Sequence, residues 1–324
     1  MDKFRKVDDQ FTRTMETLVV SMQAIMPFMK DKEVFEVYVN PDGKVWIDKL
    51  GVGRKYSGVN LPPEKTKAII HAVAALTKQV VPKDRPVLDA DIPINKFFPK
   101  SRFEGNLPPV VPAPTMNIRK HPEKIFTLQD YVHQGTLTET QYNVLLQAIK
   151  GKKNIIAAGG TKSGKTTFLN ALLAEISKYN DRVILIEDTP ELQCSAEDCV
   201  SMRATGSFTM EDCLKQVLRM TPDRIVVGEV RSGEALALLD AWSTGHSGGC
   251  STVHSNSAQD TLLRLANMTA RVSRTPQQAT IGQAVDFIVY LKYVGNRRIV
   301  EEILQVMGWN EEKKQYATRK LVEK

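Results

Sequence analysis

The feature that most constrains the fold of this chain is a glycine-rich segment with the pattern G-x-x-x-x-G-K-[ST]. Its members are Gly159, Gly160, Thr161, Lys162, Ser163, Gly164, Lys165 and Thr166. An apolar run at residues 155–158 predicts a strand before the segment, and the apolar pattern from Thr167 onward predicts a helix after it. In such a unit, the N–H groups of the loop can surround phosphate oxygens at the helix N-terminus. These flanking patterns disfavour the alternative, a glycine-rich turn with only a structural role.

Individual residues of this segment have predicted roles in nucleotide binding. Lys165 is expected to reach the β- and γ-phosphates, and Thr166 is expected to offer its hydroxyl to Mg²⁺. The other residues of the segment, together with Thr167, are predicted to bind the nucleotide. The predicted cofactors are therefore ATP and Mg²⁺.

From about residue 127 onward, predicted strands and helices alternate, as they do in an α/β domain with a parallel sheet. The predicted strands are 154–158, 182–186, 224–227, 249–253 and 286–291. The predicted helices are 138–149, 165–178, 210–219, 233–242 and 258–270. Residues 127–324 are therefore predicted to form a domain built on a parallel sheet.

The beginning of the chain has a different pattern. Apolar residues recur every three or four positions over Phe4–Ile25 and predict one face of a helix that ends near Pro27. The β-rich runs 34–39 and 44–48 flank the segment Asn40–Gly43, which is typical of a hairpin turn. A helix followed by a hairpin indicates an α+β arrangement.

Prolines organise the next part of the chain. Pro62-Pro63 is expected to open a helix that runs to about Val81. Eight prolines between Val80 and Pro114 predict short extended segments and turns. Residues 1–120 are predicted to form a smaller α+β domain, and residues 121–126 are predicted to be a linker.

Composition excludes several classes of protein. With 42% hydrophobic and 25% charged residues, the chain resembles neither a disordered nor a collagen-like sequence. The net charge of +7 suits a protein that binds anions. The longest uncharged stretch, residues 17–29, is shorter than the ~20 residues of a membrane span, and no secretory signal is expected. The four cysteines form no C-x-x-C pair, which is typical of a reduced cytosolic protein.

Two further predicted strands end in carboxylates. Glu187-Asp188 follows the strand at 182–186, and Glu229 closes the strand that begins at Arg224. Ligands of parallel sheets bind at the carboxyl ends of the strands. The second of these strands resembles a Walker B strand with Glu in place of the usual Asp. Each carboxylate has a structural alternative, because Glu229 can cap a helix or form an ion pair, and only one of Glu187 and Asp188 need point toward the site.

Two histidines, His246 and His254, flank Cys250 in a segment rich in glycine and serine. These three residues lack an obvious fourth ligand, which a structural zinc site needs. A neutral imidazole at a strand end can instead form a hydrogen bond with a γ-phosphate. The alternative for both residues is a histidine in the core with its hydrogen bonds satisfied.

The order of these motifs resembles that of secretion ATPases of the traffic-ATPase superfamily. Those proteins have a Walker A segment, an "Asp box" like Glu187-Asp188, a Walker B strand like the one that ends in Glu229, and a "His box" like Gly245–His254. Within the superfamily, three segments resemble the TrbB branch, the conjugative-transfer ATPases. These segments are 36–46, 102–109 and 118–120. The resemblance extends from about residue 30 to about residue 305.

The resemblance implies a RecA-like P-loop domain at 127–324 and a PAS-like N-terminal domain at 1–120, with ATP between them. It implies that Glu187 polarises the attacking water, that Glu229 supports Mg²⁺ through water, and that His254 reads the γ-phosphate. Arginines approach the phosphates in these families. The implied equivalents are Arg102, Arg119 and Arg203, and the alternative for each is a solvated surface charge.

The resemblance further implies a cytoplasmic homohexamer that hydrolyses ATP to power assembly of, or substrate transfer by, a type IV secretion or conjugation system. It implies peripheral association with the inner face of the inner membrane, with cytoplasmic and inner-membrane components as partners. A motor for pilus extension or type II secretion is one alternative, although the paired C-x-x-C insertion of several such motors is absent. A pilus-retraction motor also lacks that insertion and stays open. The other is a RecA-like DNA motor, or a module that binds ATP without hydrolysis, although no aromatic cluster for base stacking accompanies a basic stretch.

Overall fold

A computed structural model of the protein describes residues 2–49, 52–94, 97, 99–121, 125–295 and 297–323. Two units follow each other along the chain, Met1–Lys124 and Ile125–Lys324. The predicted linker at 121–126 includes residues 122–124, which lie outside the described residues. As functional domains, the ranges 1–120 and 127–324 remain predictions.

The first unit combines a six-stranded antiparallel sheet with helices. Its helices are α1 (Asp2–Ser21), α2 (Met26–Lys30) and α3 (Pro63–Leu76). Its strands are β1 (Val34–Val39), β2 (Lys44–Lys49), β3 (Gly53–Asn60), β4 (Val87–Ile92), β5 (Ser101–Asn106) and β6 (Thr115–Lys120). The spatial order is β3-β2-β1-β6-β5-β4, and the predicted hairpin is β1-β2.

The predicted first helix is divided into two. Helix α1 ends at Ser21, and Pro27 lies in the first turn of the separate helix α2 instead of ending a single helix. A proline is tolerated in a first turn because an N–H group there has no intrahelical acceptor. The second predicted helix ends at Leu76 instead of Val81, because Lys78 adopts a φ of +55°, which a helix cannot continue through.

The apolar residues of the N-terminal helix from Met15 onward pack within their own unit. From Phe11 onward, where side chains are described, Met15 and Leu18 are buried with Met22 in one cluster. That cluster includes Ile69 and Ile70 of α3. Among the helices in the described ranges, none combines the length and the apolar character that crossing a membrane requires.

The second unit has an eight-stranded sheet with helices on both faces. Its strands are β7 (Ile155–Gly159), β8 (Val183–Glu187), β9 (Cys199–Arg203), β10 (Arg224–Val227), β11 (Cys250–His254), β12 (Phe287–Val294), β13 (Arg297–Asn310) and β14 (Gln315–Glu323). Its helices are α4 (Leu128–His133), α5 (Glu139–Lys150), α6 (Lys165–Ile176), α7 (Met210–Val217), α8 (Glu234–Ser243), α9 (Ala258–Thr269) and α10 (Gln278–Ala284).

The parallel core of the second unit confirms the sequence prediction. In the order β14-β13-β12-β7-β11-β10-β8-β9, all neighbours from β12 to β9 are parallel, and β13 and β14 add an antiparallel edge. All five predicted strands and all five predicted helices are present, with ends displaced by at most about three residues. The sequence analysis missed α4, β9, α10, β13 and β14.

A buried arginine connects several segments at the amino ends of the parallel strands of this sheet. Arg224, at the start of β10, is 1% exposed, and its Nε donates to Asp181 Oδ2 at 2.7 Å. Its Nη1 donates to the carbonyl oxygen of Gly248 and its Nη2 to that of Ile149, each at 3.1 Å. The side chain thus connects β10 to the end of α5 and to the segment that leads into β11.

We expect Arg224→Met to lower the free energy of unfolding by about 3 kcal/mol, as measured by urea-induced unfolding. The variant removes the side-chain donor of the buried Gly248 carbonyl and one partner of Asp181, whereas the Ile149 carbonyl still accepts from the backbone N–H of Lys152. Lys152 Nζ, 2.8 Å from Asp181 Oδ1, still balances that carboxylate. The loss of unfolding free energy is therefore expected at the lower end of the range for breaking a buried ion pair. The exposed Arg219→Met is the control and should unfold like the parent protein. An unchanged midpoint in Arg224→Met would contradict the role of this side chain.

Candidate nucleotide-binding site

The glycine-rich segment forms a loop between the end of β7 at Gly159 and the start of α6 at Lys165. Lys162 has a φ of +64° and Gly164 a φ of +92°, so the loop turns through left-handed conformations. A Cβ atom at Gly159 would lie 2.4 Å from the carbonyl oxygen of Leu291, so only glycine fits there. A Cβ atom at Gly160 would meet no atom within 4 Å, so this part of the loop backbone is open to a ligand.

Two buried polar side chains of the loop fit an anionic ligand. Ser163 is 2% exposed, and its Oγ makes no hydrogen bond within the described part of the chain. Lys165 is 7% exposed, and its Nζ donates to the carbonyl oxygen of Gly160 at 3.0 Å. A buried hydroxyl without a partner and a buried ammonium group beside an open backbone match the donors that a phosphate chain needs.

A chain of charged and polar contacts connects the loop to the ends of the neighbouring strands. Lys165 Nζ lies 3.3 Å from Nδ1 of His254, at the end of β11. His254 Nε2 lies 3.2 Å from Oε1 of Glu229, which follows β10. Glu229 Oε2 accepts from Nη2 of Arg231 at 2.7 Å, and Nη1 of Arg231 donates to Oδ2 of Asp188 at 2.7 Å. The predicted residues Lys165, Glu229 and His254 therefore converge.

His254 is held neutral at pH 7. Burial lowers its pKa below the usual value, and the charge of Lys165 lowers it further, whereas Glu229 acts in the opposite direction. A neutral ring can accept a hydrogen bond from Lys165 through its unprotonated nitrogen. This state agrees with the prediction of a neutral imidazole at the strand end.

The structure distinguishes between the two adjacent carboxylates after β8. Glu187 is 3% exposed, and its Oε1 accepts from the backbone N–H groups of Glu191 and Leu192, each at 2.8 Å. A Cβ atom at Gly228 would lie 3.2 Å from Cγ of Glu187, so this side chain lies directly beside the residue that precedes Glu229. The side chain of Asp188 is half exposed and pairs with Arg231. Glu187 is thus the carboxylate that faces inward.

The other two candidate residues of the second unit, Arg203 and His246, lie at different distances from this cluster. Arg203 is opposite Glu187 in the β8-β9 register, and its Nε donates to the carbonyl oxygen of Asp188 at 3.3 Å. His246 lies before β11, and its Nδ1 is 3.3 Å from the carbonyl oxygen of Pro222, so it belongs to the opposite edge of the sheet. Within the described ranges, no group of three or more His, Cys, Asp or Glu residues is arranged to hold a metal ion.

Arg102 and Arg119 belong to the first unit. They lie directly opposite each other on the antiparallel strands β5 and β6, and therefore on one face of that sheet. Arg102 Nη2 is 3.2 Å from Asp89 Oδ2 and 3.6 Å from Glu104 Oε1. Two adjacent guanidinium groups can bind an anion together. Their predicted approach to the phosphates remains a prediction.

Sequence reasoning missed Arg231 as a member of this cluster. Arg231 connects the carboxylates that follow two different strands, and with Glu229, His254 and Arg264 it lines a cavity of about 340 Å³. A charged residue just beyond a buried strand is the only signal that the sequence offers. Nothing in the order of residues shows which carboxylates it pairs with, because Asp188 is distant along the chain.

Known secretion-system proteins are similar to this chain in sequence. Residues 96–308 match the sequence model of the family described as "Type II/IV secretion system protein". The chain is 41% identical over 283 residues to the conjugal transfer protein TrbB of Rhizobium radiobacter, and the match covers 87% of this chain and 86% of that protein. It is 30% identical over 337 residues to the type IV secretion system protein VirB11 of Bartonella quintana, covering 90% and 93%.

Among solved structures, the ATPase DotB of Legionella pneumophila has a TM-score of 0.67 at 20% identity, covering 91% of this chain and 82% of that one. The pilus retraction motor PilT with bound ADP has a TM-score of 0.62 at 19% identity, covering 95% and 83%. At these identities the likeness concerns the fold, and it confirms the predicted α/β class with its parallel core. The family match and the two sequence relatives together show that the chain belongs to the type II/IV secretion system proteins, the traffic ATPases.

Proposed function

We propose that this chain binds ATP with Mg²⁺ and hydrolyses it to ADP and phosphate. The observation that carries this proposal is the convergence of Lys165, His254, Glu229 and Glu187 at the ends of the adjacent strands β7, β11, β10 and β8. Phosphoryl transfer depends almost entirely on positioning and electrostatic stabilisation. A cation next to a phosphate-binding loop, with carboxylates beside it, supplies both.

Each residue has a distinct role in this proposal. Lys165 neutralises charge on the β- and γ-phosphates, and the protonated ring nitrogen of His254 donates to a γ-phosphate oxygen. Glu187, oriented by two backbone N–H groups, accepts a hydrogen bond from the attacking water. Thr166 and, through water, Glu229 would hold Mg²⁺. When bound, that ion neutralises charge that develops on the phosphate oxygens.

Contacts of the neighbouring backbone and of the side chain orient Glu229 for this role. The backbone around it is fixed to β11, because Thr252 Oγ1 donates to the carbonyl oxygen of Gly228 at 2.8 Å and the N–H of Val230 donates to the carbonyl oxygen of Thr252 at 3.0 Å. The side chain is held between Arg231 and His254. Glu229 therefore has a defined direction toward the loop that contains Lys165.

The biological process follows from the relatives. Proteins named for conjugal transfer match this chain at 41% and 42% identity over most of its length, which favours conjugation over pilus movement. We infer a homohexamer at the cytoplasmic face of the inner membrane that powers assembly of, or transfer through, a type IV secretion apparatus. Particle images with a non-hydrolysable ATP analogue test this assembly, and particles of any other symmetry would contradict it.

Phosphate release by the purified full-length chain tests the reaction. We expect Mg²⁺-dependent release from ATP that is the same with and without single-stranded DNA at low and high salt. Release that requires single-stranded DNA would instead support a DNA motor. That release should fall at high salt, because binding to a phosphate backbone weakens steeply with salt. Nucleotide binding without release would show a module that uses ATP only as a ligand.

The arginine pair of the first unit provides a separate prediction. Arg102→Ala and Arg119→Ala are expected to fold and bind nucleotide but to lose most turnover, because a guanidinium fork that grips phosphate oxygens is then missing. Phosphate release is the measurement. Arg85→Ala, which removes an exposed arginine of the same unit, is the control and should retain full activity. Full activity in both test variants would show that Arg102 and Arg119 are surface charges.

A further inference from the structure

The β12-β13 hairpin extends past the glycine-rich loop on the side away from the carboxylates. Leu291 of β12 lies opposite Gly159, the last residue of β7, and β12 continues for three more residues to Val294. Leu291 packs in the same apolar cluster as Phe168 of α6. Because side chains alternate along a strand, Tyr293 lies on that same face, the face of the sheet that carries α6.

The side chain of Arg298 connects the β12-β13 hairpin to the glycine-rich loop. It lies opposite Tyr293 in the β12-β13 register, and its guanidinium carbon is 5.9 Å from the centroid of the tyrosine ring. Its Nε donates to the carbonyl oxygen of Lys162 at 3.2 Å. A Cβ atom at Gly164 would lie 2.9 Å from Cδ of Arg298, so the side chain packs directly on the loop backbone. The side chain of Arg298 thus positions Tyr293 beside the loop.

The direction of a nucleotide in this site follows from the strand order. His254 and Glu187 end β11 and β8, and Glu229 follows β10; all three strands lie on one side of β7. A γ-phosphate that these residues act on must lie on that side of the loop. Strand β12 is the neighbour of β7 on the other side. With its β-phosphate in the loop, a nucleotide therefore extends its nucleoside toward the hairpin that carries Tyr293.

We propose that the Tyr293 ring is a stacking platform for the nucleobase of the bound nucleotide, held in place by Arg298. The ring suits this role because one face is turned to the guanidinium group, while the residue is 47% exposed. Stacking on an aromatic ring tolerates different bases, since every base has a π-face. The ring alone therefore provides little discrimination between adenine and guanine. This inference rests on the proposed function and adds the base subsite.

The test compares a ligand that has a base with one that lacks it. Binding of ADP and of inorganic tripolyphosphate to the full-length chain is measured by calorimetry. Tyr293→Ala is expected to weaken ADP binding by about fivefold or more, the usual effect of losing one base-aromatic stack, and to leave tripolyphosphate binding unchanged. Tyr293→Phe retains the ring and should bind ADP normally. Val294→Ala, at the neighbouring exposed position, is the control.

Each other outcome overturns the inference in a recognisable way. Unchanged ADP affinity in Tyr293→Ala would show that the base does not stack on this ring. An equal loss for both ligands would show that the hairpin only supports the loop. In either case the parent protein still binds and hydrolyses ATP, so the proposed function stands. A parent protein that binds neither ligand would overturn the proposed function together with this subsite.

Discussion

Lys165→Ala should lower phosphate release by about a thousandfold or more, because it removes the cation nearest to the developing charge of the phosphates. The Nζ atom of Lys165 is positioned by the carbonyl oxygen of Gly160 and by His254, and the side chain is almost fully buried. Other cations of the cluster, such as Arg231, are already paired with carboxylates. Arg231 is therefore held by these carboxylates and is not placed to replace the lysine.

The measurement is the rate of phosphate release at saturating ATP, with circular dichroism to verify the fold. Lys178→Ala is the matched control, because Lys178 lies just beyond the other end of α6 and pairs only with the side chain of Glu175 in the described contacts. It should retain normal turnover. Near-normal turnover in Lys165→Ala would show that the glycine-rich loop does not bind the reacting phosphates.

The parallel core of the second unit could be predicted because its strands are short apolar runs with charged or glycine residues at their ends. Strands β7, β8 and β10 are buried along their whole length, so each has a continuous apolar sequence. The glycine-rich segment then fixed the loop between β7 and α6, since only one strand-loop-helix arrangement fits its pattern. The chemistry at the strand ends followed from that arrangement.

The elements that were missed lack such a pattern. Strand β3 is exposed at most positions and carries few apolar residues, so it has no alternation to detect. Strands β13 and β14 form an antiparallel edge whose long pairing depends on contacts with β12. Helices α4 and α10 have six and seven residues, which is too short for a clear period of 3.6. Tertiary contacts, not local sequence, define these elements.

In the candidate site, too, the sequence pattern predicts some residues, and only tertiary contacts define the others. The sequence indicated Lys165, Glu229 and His254, because each follows a predicted strand or closes the loop. The strand pattern alone did not distinguish Glu187 from Asp188, since adjacent residues at a strand end point to opposite faces, and only the family resemblance implied Glu187. The choice is made by the backbone N–H groups four and five residues beyond Glu187, which donate to Glu187 and not to Asp188. Such a contact depends on the path of the loop and has no sequence pattern.

The distinction between these two carboxylates leads to the second large expected effect. Glu187→Gln should lower turnover by about a hundredfold or more, because the amide no longer provides a negative charge to orient and deprotonate the attacking water. The amide oxygen can still accept from the N–H groups of Glu191 and Leu192, so the loop should keep its path. Nucleotide affinity should change little, since the loop around Lys165 is untouched.

Asp188→Asn is the matched comparison, with the same chemical change one residue further along the chain. Asp188 is half exposed and contacts the cluster only through Arg231 and backbone groups in the described part of the chain, so its loss should lower turnover far less. Phosphate release and ADP affinity, measured for both variants, separate the two roles. If Asp188→Asn is inactive while Glu187→Gln hydrolyses ATP normally, Asp188 is the carboxylate that acts on water. The buried position of Glu187 then serves only to hold the loop that begins at Asp188.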